Sequence, residues 1–264
     1  MDLQLKNKKA FVSGSTSGIG MAIAKKLLEE QAEVIISGSS QQSVDKAVAR
    51  LKAEVPTAKL SGIPTDFTRA ASVEELIAQL EDIDILVNNV GIYEPMEFTK
   101  ITDSDWDRFF EVNLMSGIRL SRALFPKMLE KNWGRILFIT SESASNIPQE
   151  MIHYGVSKTA LHGLSRGLAK LTKETQVTVN TIMPGPTATE GVKAHFEKMA
   201  QEEGKTYQEV EDNFFKNLRP SSLLQRFAKP EEVANMVCYM ASPLSSATNG
   251  ASLRVEGGIV DSIL

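Results

Sequence analysis

The sequence has few of the residues that cross-link a chain or hold a metal. Its only cysteine, Cys238, rules out an intramolecular disulfide; within the apolar stretch 233–240 it reads as a small buried hydrophobe in a reducing compartment. The three histidines, His153, His162 and His195, have no cysteine or carboxylate neighbours at ligand spacing, so no metal site is expected. Long Lys/Arg runs are missing and the net charge is −4, which argues against a nucleic-acid partner. No apolar run is long enough to span a bilayer, and residues 1–9 lack the pattern of a signal peptide, so a cytoplasmic protein without a membrane partner is expected. Repeats, low-complexity tracts and Pro/Gly/Ser-rich linkers are also absent. With 42% hydrophobic and 23% charged residues, residues 1–264 read as a single domain with a sizeable core.

What is present is an alternation. Short β-rich runs at 10–12, 34–36, 83–87, 135–139, 177–182 and 252–255 are separated by helical patterns at about 18–31, 43–54, 73–80, 106–131, 154–172 and 230–240. Helices of this length cross over parallel strands, so the fold class expected is α/β: a doubly wound parallel sheet, or Rossmann fold. The irregular stretch 190–225 is charged and helical in pattern, and is expected to form a mobile lid over a substrate. Val192, Phe196, Met199, Phe214 and Phe215 would supply its inward face.

Directly after the first run come Gly14, Ser17, Gly18, Ile19 and Gly20, followed by an amphipathic helix. A turn from strand to helix needs backbone that takes positive φ and approaches a ligand closely, and the new helix offers free N–H groups to a pyrophosphate. The spacing Gly-x-x-x-Gly-x-Gly differs from the commonest dinucleotide fingerprint, and a glycine-rich surface turn is the alternative. Further on, Tyr154 and Lys158 stand four residues apart at a helix start, on one face. A free phenol has a pKa of about 10; an ammonium nearby favours the phenolate, which would suit Tyr154 to general acid and base work. The alternative is a partly buried tyrosine beside a solvated lysine. Ser141 follows the run 135–139, where ligands of open α/β sheets bind. Ser143 competes with it for a role at the substrate oxygen.

These motifs resemble the short-chain dehydrogenase/reductase family, whose cofactor turn has this glycine spacing and whose catalytic serine lies thirteen residues before the tyrosine, as Ser141 does. Asn88-Asn89-Val90-Gly91 resembles the family's Asn-Asn-Ala-Gly segment, with Asn89 and Gly91 on the adenosine side, and Asp66 resembles the aspartate that contacts adenine. Pro184, Gly185, Thr187 and Thr189 resemble the Pro-Gly segment that holds the nicotinamide amide, while the segments 230–234 and 255–258 match near the C-terminus. The resemblance implies that Tyr154 exchanges the proton of the substrate oxygen, that Ser141 binds that oxygen, and that Lys158 also contacts the nicotinamide ribose. Asn113 would hold a relay water; by itself it reads as a buried asparagine satisfying backbone. The family also implies a homo-oligomer, a tetramer paired through the helices at 106–131 and 154–172.

The reaction implied is hydride transfer between NADP(H) or NAD(H) and a carbonyl or secondary alcohol of a small-molecule substrate. No acid stands at the end of the second strand to repel a 2′-phosphate, where Ser39 and Ser40 are found, and no arginine stands there to attract one, so NADP(H) is slightly favoured. Ser17 occupies a place where phosphate-selecting relatives carry a base. Two other readings remain: a non-catalytic nicotinamide-binding regulator, disfavoured by the complete Asn113, Ser141, Tyr154 and Lys158 set, and an epimerase or dehydratase of the extended relatives, disfavoured by the glycine spacing and chain length.

Overall fold

In a computed structural model, residues 1–263 are described; Leu264, the last residue of the expected domain, lies outside them. The chain forms β1 (Lys9–Val12), α1 (Gly18–Glu29), β2 (Glu33–Gly38), α2 (Gln41–Glu54), β3 (Lys59–Pro64), α3 (Ala70–Ile77) and β4 (Ile85–Asn88). It continues with α4 (Asp103–Phe110), α5 (Ser116–Glu130), β5 (Gly134–Ile139), α6 (Ile152–Lys170), β6 (Val177–Pro184), α7 (Glu190–Glu203), α8 (Tyr207–Asn217), α9 (Pro230–Ala241) and β7 (Ser252–Val255). The strands make one parallel sheet in the order β3-β2-β1-β4-β5-β6-β7.

Successive strand residues point to opposite faces, and both faces of this sheet are covered by helices, so the inner strands are largely apolar. Val12, Ile36, Val87 and Leu137 pack with α1, α2 and α9 on one face. Phe11, Leu86, Ile136 and Phe138 pack with α3, α5 and α6 on the other. Buried polar residues interrupt this pattern, among them Asn88 on β4 and Thr178, Asn180 and Thr181 on β6, and the Arg135 guanidinium is buried on β5, donating to the carbonyls of Ser242 at 3.1 Å, Gly134 at 2.9 Å and Gln176 at 2.7 Å. It ties the ends of β5, α9 and the loop before β6 together, while burial lowers its pKa to about 10.

Two elements depart from the sequence reading. β3 was not expected. As the edge strand it is half exposed and pairs only with β2, so its Lys-Leu-Ser-Gly-Ile-Pro sequence needs no apolar run, and an edge tolerates its proline. The single helix expected over 106–131 is α4 and α5 joined by a π-helical turn, Glu111–Met115, which carries Asn113. A π-turn adds a residue to the helix and turns the side chain it carries toward a new partner. The stretch 190–225 contains α7 and α8, capped by Thr189 and Thr206, which share a small core of Phe196, Ala200, Val210, Phe215 and Phe227.

Candidate active site

All strands run the same way, so the carboxyl ends of β4, β5 and β6 converge on one rim, beside the point where the strand order reverses between β1 and β4. A cavity of about 450 Å³ opens there, within the size range of small-molecule sites. Its polar wall includes Asn89, Ser141, Glu142, Tyr154, Lys158 and Thr187, and α7 and α8 contribute part of its apolar wall. Val192, Phe196, Met199 and Phe214 line it as expected, whereas Phe215 is buried in the α7–α8 core.

The glycine turn adjoins this rim. Gly14 and Gly18 have φ of +59° and +55°, a region costly for residues with a Cβ. A Cβ on Gly20 would fall 2.5 Å from both the Gly14 carbonyl and Asn89 Nδ2. The Asn89 amide donates to the carbonyls of Ser13 at 3.0 Å and Gly14 at 2.8 Å, so this side chain shapes the turn from below. At the mouth, the Gly18 N–H donates to a Glu190 carboxylate oxygen at 3.0 Å, and the other oxygen of Glu190 accepts from Arg50 at 3.3 Å. A carboxylate thus occupies the α1 N-terminus, standing in for an anionic oxygen. This chemistry fits a dinucleotide's phosphates.

The remaining expected cofactor residues surround that turn. Ile19, Gly91, Pro184, Gly185 and Thr189 border the cavity. Gly91 lies so close to Lys158 that a Cβ there would sit 3.0 Å from Nζ, and Gly185 packs against the Glu256 backbone. Thr187 donates to the Gly185 carbonyl at 2.8 Å, and the Thr189 hydroxyl accepts from Val192 N–H at 3.3 Å as the cap of α7. Ser17 and Ser39 are exposed beyond the cavity, at the α1 N-terminus and the end of β2. Ser40 is engaged as the cap of α2, its hydroxyl accepting from Ser43 N–H at 3.2 Å. Asp66 accepts from the Thr68 hydroxyl at 2.6 Å and from its N–H at 3.0 Å, which holds its carboxyl below the usual range.

The reactive groups meet at the ends of β5 and α6. Lys158 is buried and donates to the Ile139 carbonyl at 3.0 Å, with Nζ 5.8 Å from the centre of the Tyr154 ring. Burial lowers its pKa to about 8. Tyr154 packs edge-on to Tyr93, ring centres 6.4 Å apart. Against the lowering expected from Lys158, burial pushes Tyr154 above its ordinary value, and the Glu142 charge adds to this.

Asn113 does not reach the lysine through its side chain. Its Oδ1 accepts from Ile92 N–H at 2.7 Å, and its amide donates to the Ile92 carbonyl at 3.0 Å and to Ser157 at 2.9 Å. The π-turn thus ties the irregular segment following Gly91 to α6 next to Lys158. His153, beside Tyr154 in sequence, is fully buried against Phe109 at 4.0 Å, so it neither contacts the cavity nor lies at the surface.

Two residues at the site carry no assignment from sequence. Glu142, between Ser141 and Ser143, is buried, and Arg219 reaches it from beyond α8 at 3.9 Å. An acid between two serines at a strand's carboxyl end is the signal that could have pointed to Glu142; nothing local points to Arg219, 77 residues away.

The short chain dehydrogenase family model matches residues 8–200. The uncharacterized oxidoreductase YvaG of Bacillus subtilis is 48% identical over 263 residues, covering all of both chains. A 3-oxoacyl-acyl-carrier-protein reductase of Aquifex aeolicus is 33% identical over 98% of this chain and all of its own. Among solved structures, L-sorbose reductase from Gluconobacter frateurii, complexed with NADPH and L-sorbose, superimposes with a TM-score of 0.93 at 26% identity over the whole of both chains. A parallel α/β oxidoreductase is therefore defined by fold and relatives alike. The chain belongs to the short chain dehydrogenase family, and its reaction is hydride transfer on a carbonyl or alcohol. Among the described residues no helix is long and apolar enough to cross a membrane, and no group of His, Cys, Asp or Glu is arranged to hold a metal.

Proposed function

We propose that the protein is a cytoplasmic carbonyl reductase that prefers NADP(H) slightly, with Tyr154 as general acid, Ser141 as the group that polarises the substrate oxygen, and Lys158 as a cofactor-positioning cation. The observation that carries this is the convergence of Ser141, Tyr154 and Lys158 on one cavity wall beside the glycine turn. When bound, the nicotinamide supplies the hydride. Tyr154 gives its phenolic proton to the substrate oxygen as charge develops there, and Ser141 donates a hydrogen bond that stabilises the same charge. Asn113 positions α6 through Ile92 and Ser157. Gly14, Gly18 and Gly20 would receive the pyrophosphate, and Asp66 the adenine. Thr187 and Thr189 lie where the nicotinamide amide would rest. A screen of ketones and alcohols that follows absorbance of the reduced nicotinamide tests this reading.

Cofactor preference rests on Ser39. It is exposed at the end of β2, carries no charge to repel a 2′-phosphate, and is followed by the α2 N-terminus. The Gluconobacter enzyme, alike in fold, binds NADPH. We expect NADP(H) to be favoured by about tenfold in kcat/KM, or about 1–2 kcal/mol, and Ser39→Asp to reverse the order. A wild-type enzyme that favours NAD(H) tenfold, with one substrate at one pH, would overturn this.

The segment 190–225 is proposed to act as a lid. α7 and α8 share a core of their own, and the Glu190 carboxylate at Gly18 stands where an incoming phosphate would displace it. Limited proteolysis within 190–225 should slow when cofactor and substrate are added, and equal cleavage with and without them would count against a lid. A homotetramer is proposed on the family resemblance of α4–α5 and α6.

A further inference from the structure

Glu142 is placed where it can govern Ser141. Its side chain is 8% exposed. Ser141 donates its hydroxyl proton to Oε2 at 2.5 Å, and Ser143 donates to Oε1 at 3.2 Å. The charged and titratable groups facing it come from three further places. Arg219, from beyond α8, has Nε 3.9 Å from Oε1 but shares its charge with Glu150, whose carboxylate lies 3.2 Å away. Tyr154 faces it from α6, and Lys158 lines the same cavity. The carboxyl therefore has only neutral donors, the Ser141 and Ser143 hydroxyls and the Ser143 N–H, and one loose, shared cation.

A hydroxyl has one proton to donate. While Glu142 is ionised, that proton is committed to the carboxylate, and Ser141 can offer the substrate oxygen only lone pairs. When Glu142 carries a proton, its own O–H donates to Ser141 Oγ, and the serine proton is free to point into the cavity. We propose that Glu142 is a positioning residue whose protonation state sets the direction of the Ser141 hydroxyl, turning Ser141 into a donor for carbonyl reduction when Glu142 is protonated. This rests on the reading of Ser141 and Tyr154 as the groups at the substrate oxygen. Burial pushes the Glu142 carboxyl above the usual carboxylate range, and its hydrogen bonds and Arg219 offset only part of this, which brings the switch toward working pH.

Glu142→Gln tests the idea, since the amide N–H donates to Ser141 permanently and its oxygen still accepts from Ser143. With a ketone the screen finds to be turned over, wild-type kcat/KM for reduction should fall by roughly tenfold as pH rises through the Glu142 ionisation. E142Q should lack that fall and hold the wild-type low-pH value. Profiles of the same shape in both proteins would overturn the proposal. A second readout needs no turnover. Below the unfolded carboxyl's pKa both states of wild type are protonated. As pH rises, the unfolded chain ionises first, and wild type loses stability relative to E142Q until the folded carboxyl ionises as well. The melting temperature of E142Q minus that of wild type should therefore widen from pH 4 upward and then level, at pH values on the order of those where carboxyls titrate or above; a constant or narrowing gap would also overturn the proposal. If Tyr154→Phe remains active, the underlying reading fails; if it is dead while the two proteins share one pH profile, only the role of Glu142 fails.

Discussion

Tyr154→Phe is expected to lower kcat by about 10³-fold, within the range that a positioned proton donor contributes, while cofactor affinity changes by less than about threefold. The substitution removes one oxygen and keeps the ring, so the edge contact with Tyr93 at 6.4 Å survives. What is lost is the proton that must reach the substrate oxygen as the hydride reaches its carbon. The raised pKa of Tyr154 makes this a test of direction as well: a neutral phenol is ready for reduction, whereas alcohol oxidation must first generate a base. Stopped-flow reduction and cofactor fluorescence titration read the two effects separately. Turnover of Y154F within about tenfold of wild type would remove Tyr154 from the reaction.

Lys158→Ala is expected to damage both steps. The ammonium is buried, and its removal leaves the Ile139 carbonyl without its donor at 3.0 Å and a void beside Gly91. We expect kcat/KM to fall by about 10²-fold or more and cofactor to bind about tenfold more weakly, because the same cation faces the phenol and the place proposed for the nicotinamide ribose. The unsatisfied carbonyl costs about 1–3 kcal/mol of stability, which a melting curve separates from catalysis. Cofactor affinity equal to wild type would show that Lys158 serves only Tyr154.

Much of the framework was legible because it rests on local rules. The runs around Phe11, Val87 and Phe138 are apolar on both faces, as a doubly covered parallel sheet requires, and the glycines at 14, 18 and 20 mark a turn where backbone must twist and approach closely. The Tyr154–Lys158 spacing puts both side chains on one helix face whatever surrounds it.

What local rules leave open depends on partners distant in sequence. β3 forms because β2 offers it an edge, not because its own residues are apolar. Asn113 is turned by a π-turn toward Ile92 and Ser157, and no periodicity announces that. The phenol of Tyr154 lies above its ordinary pKa, against the inference drawn from spacing alone, because burial penalises the phenolate and the nearby Glu142 charge adds to that penalty. The amino-acid sequence by itself determined the α/β class, the glycine turn and the candidates for the reactive side chains, since spacing and backbone preference are local. Only the tertiary structure decided their electrostatics, because desolvation and the approach of Glu142 and Arg219 exist only once β5, α6 and the segment beyond α8 have closed around the same cavity.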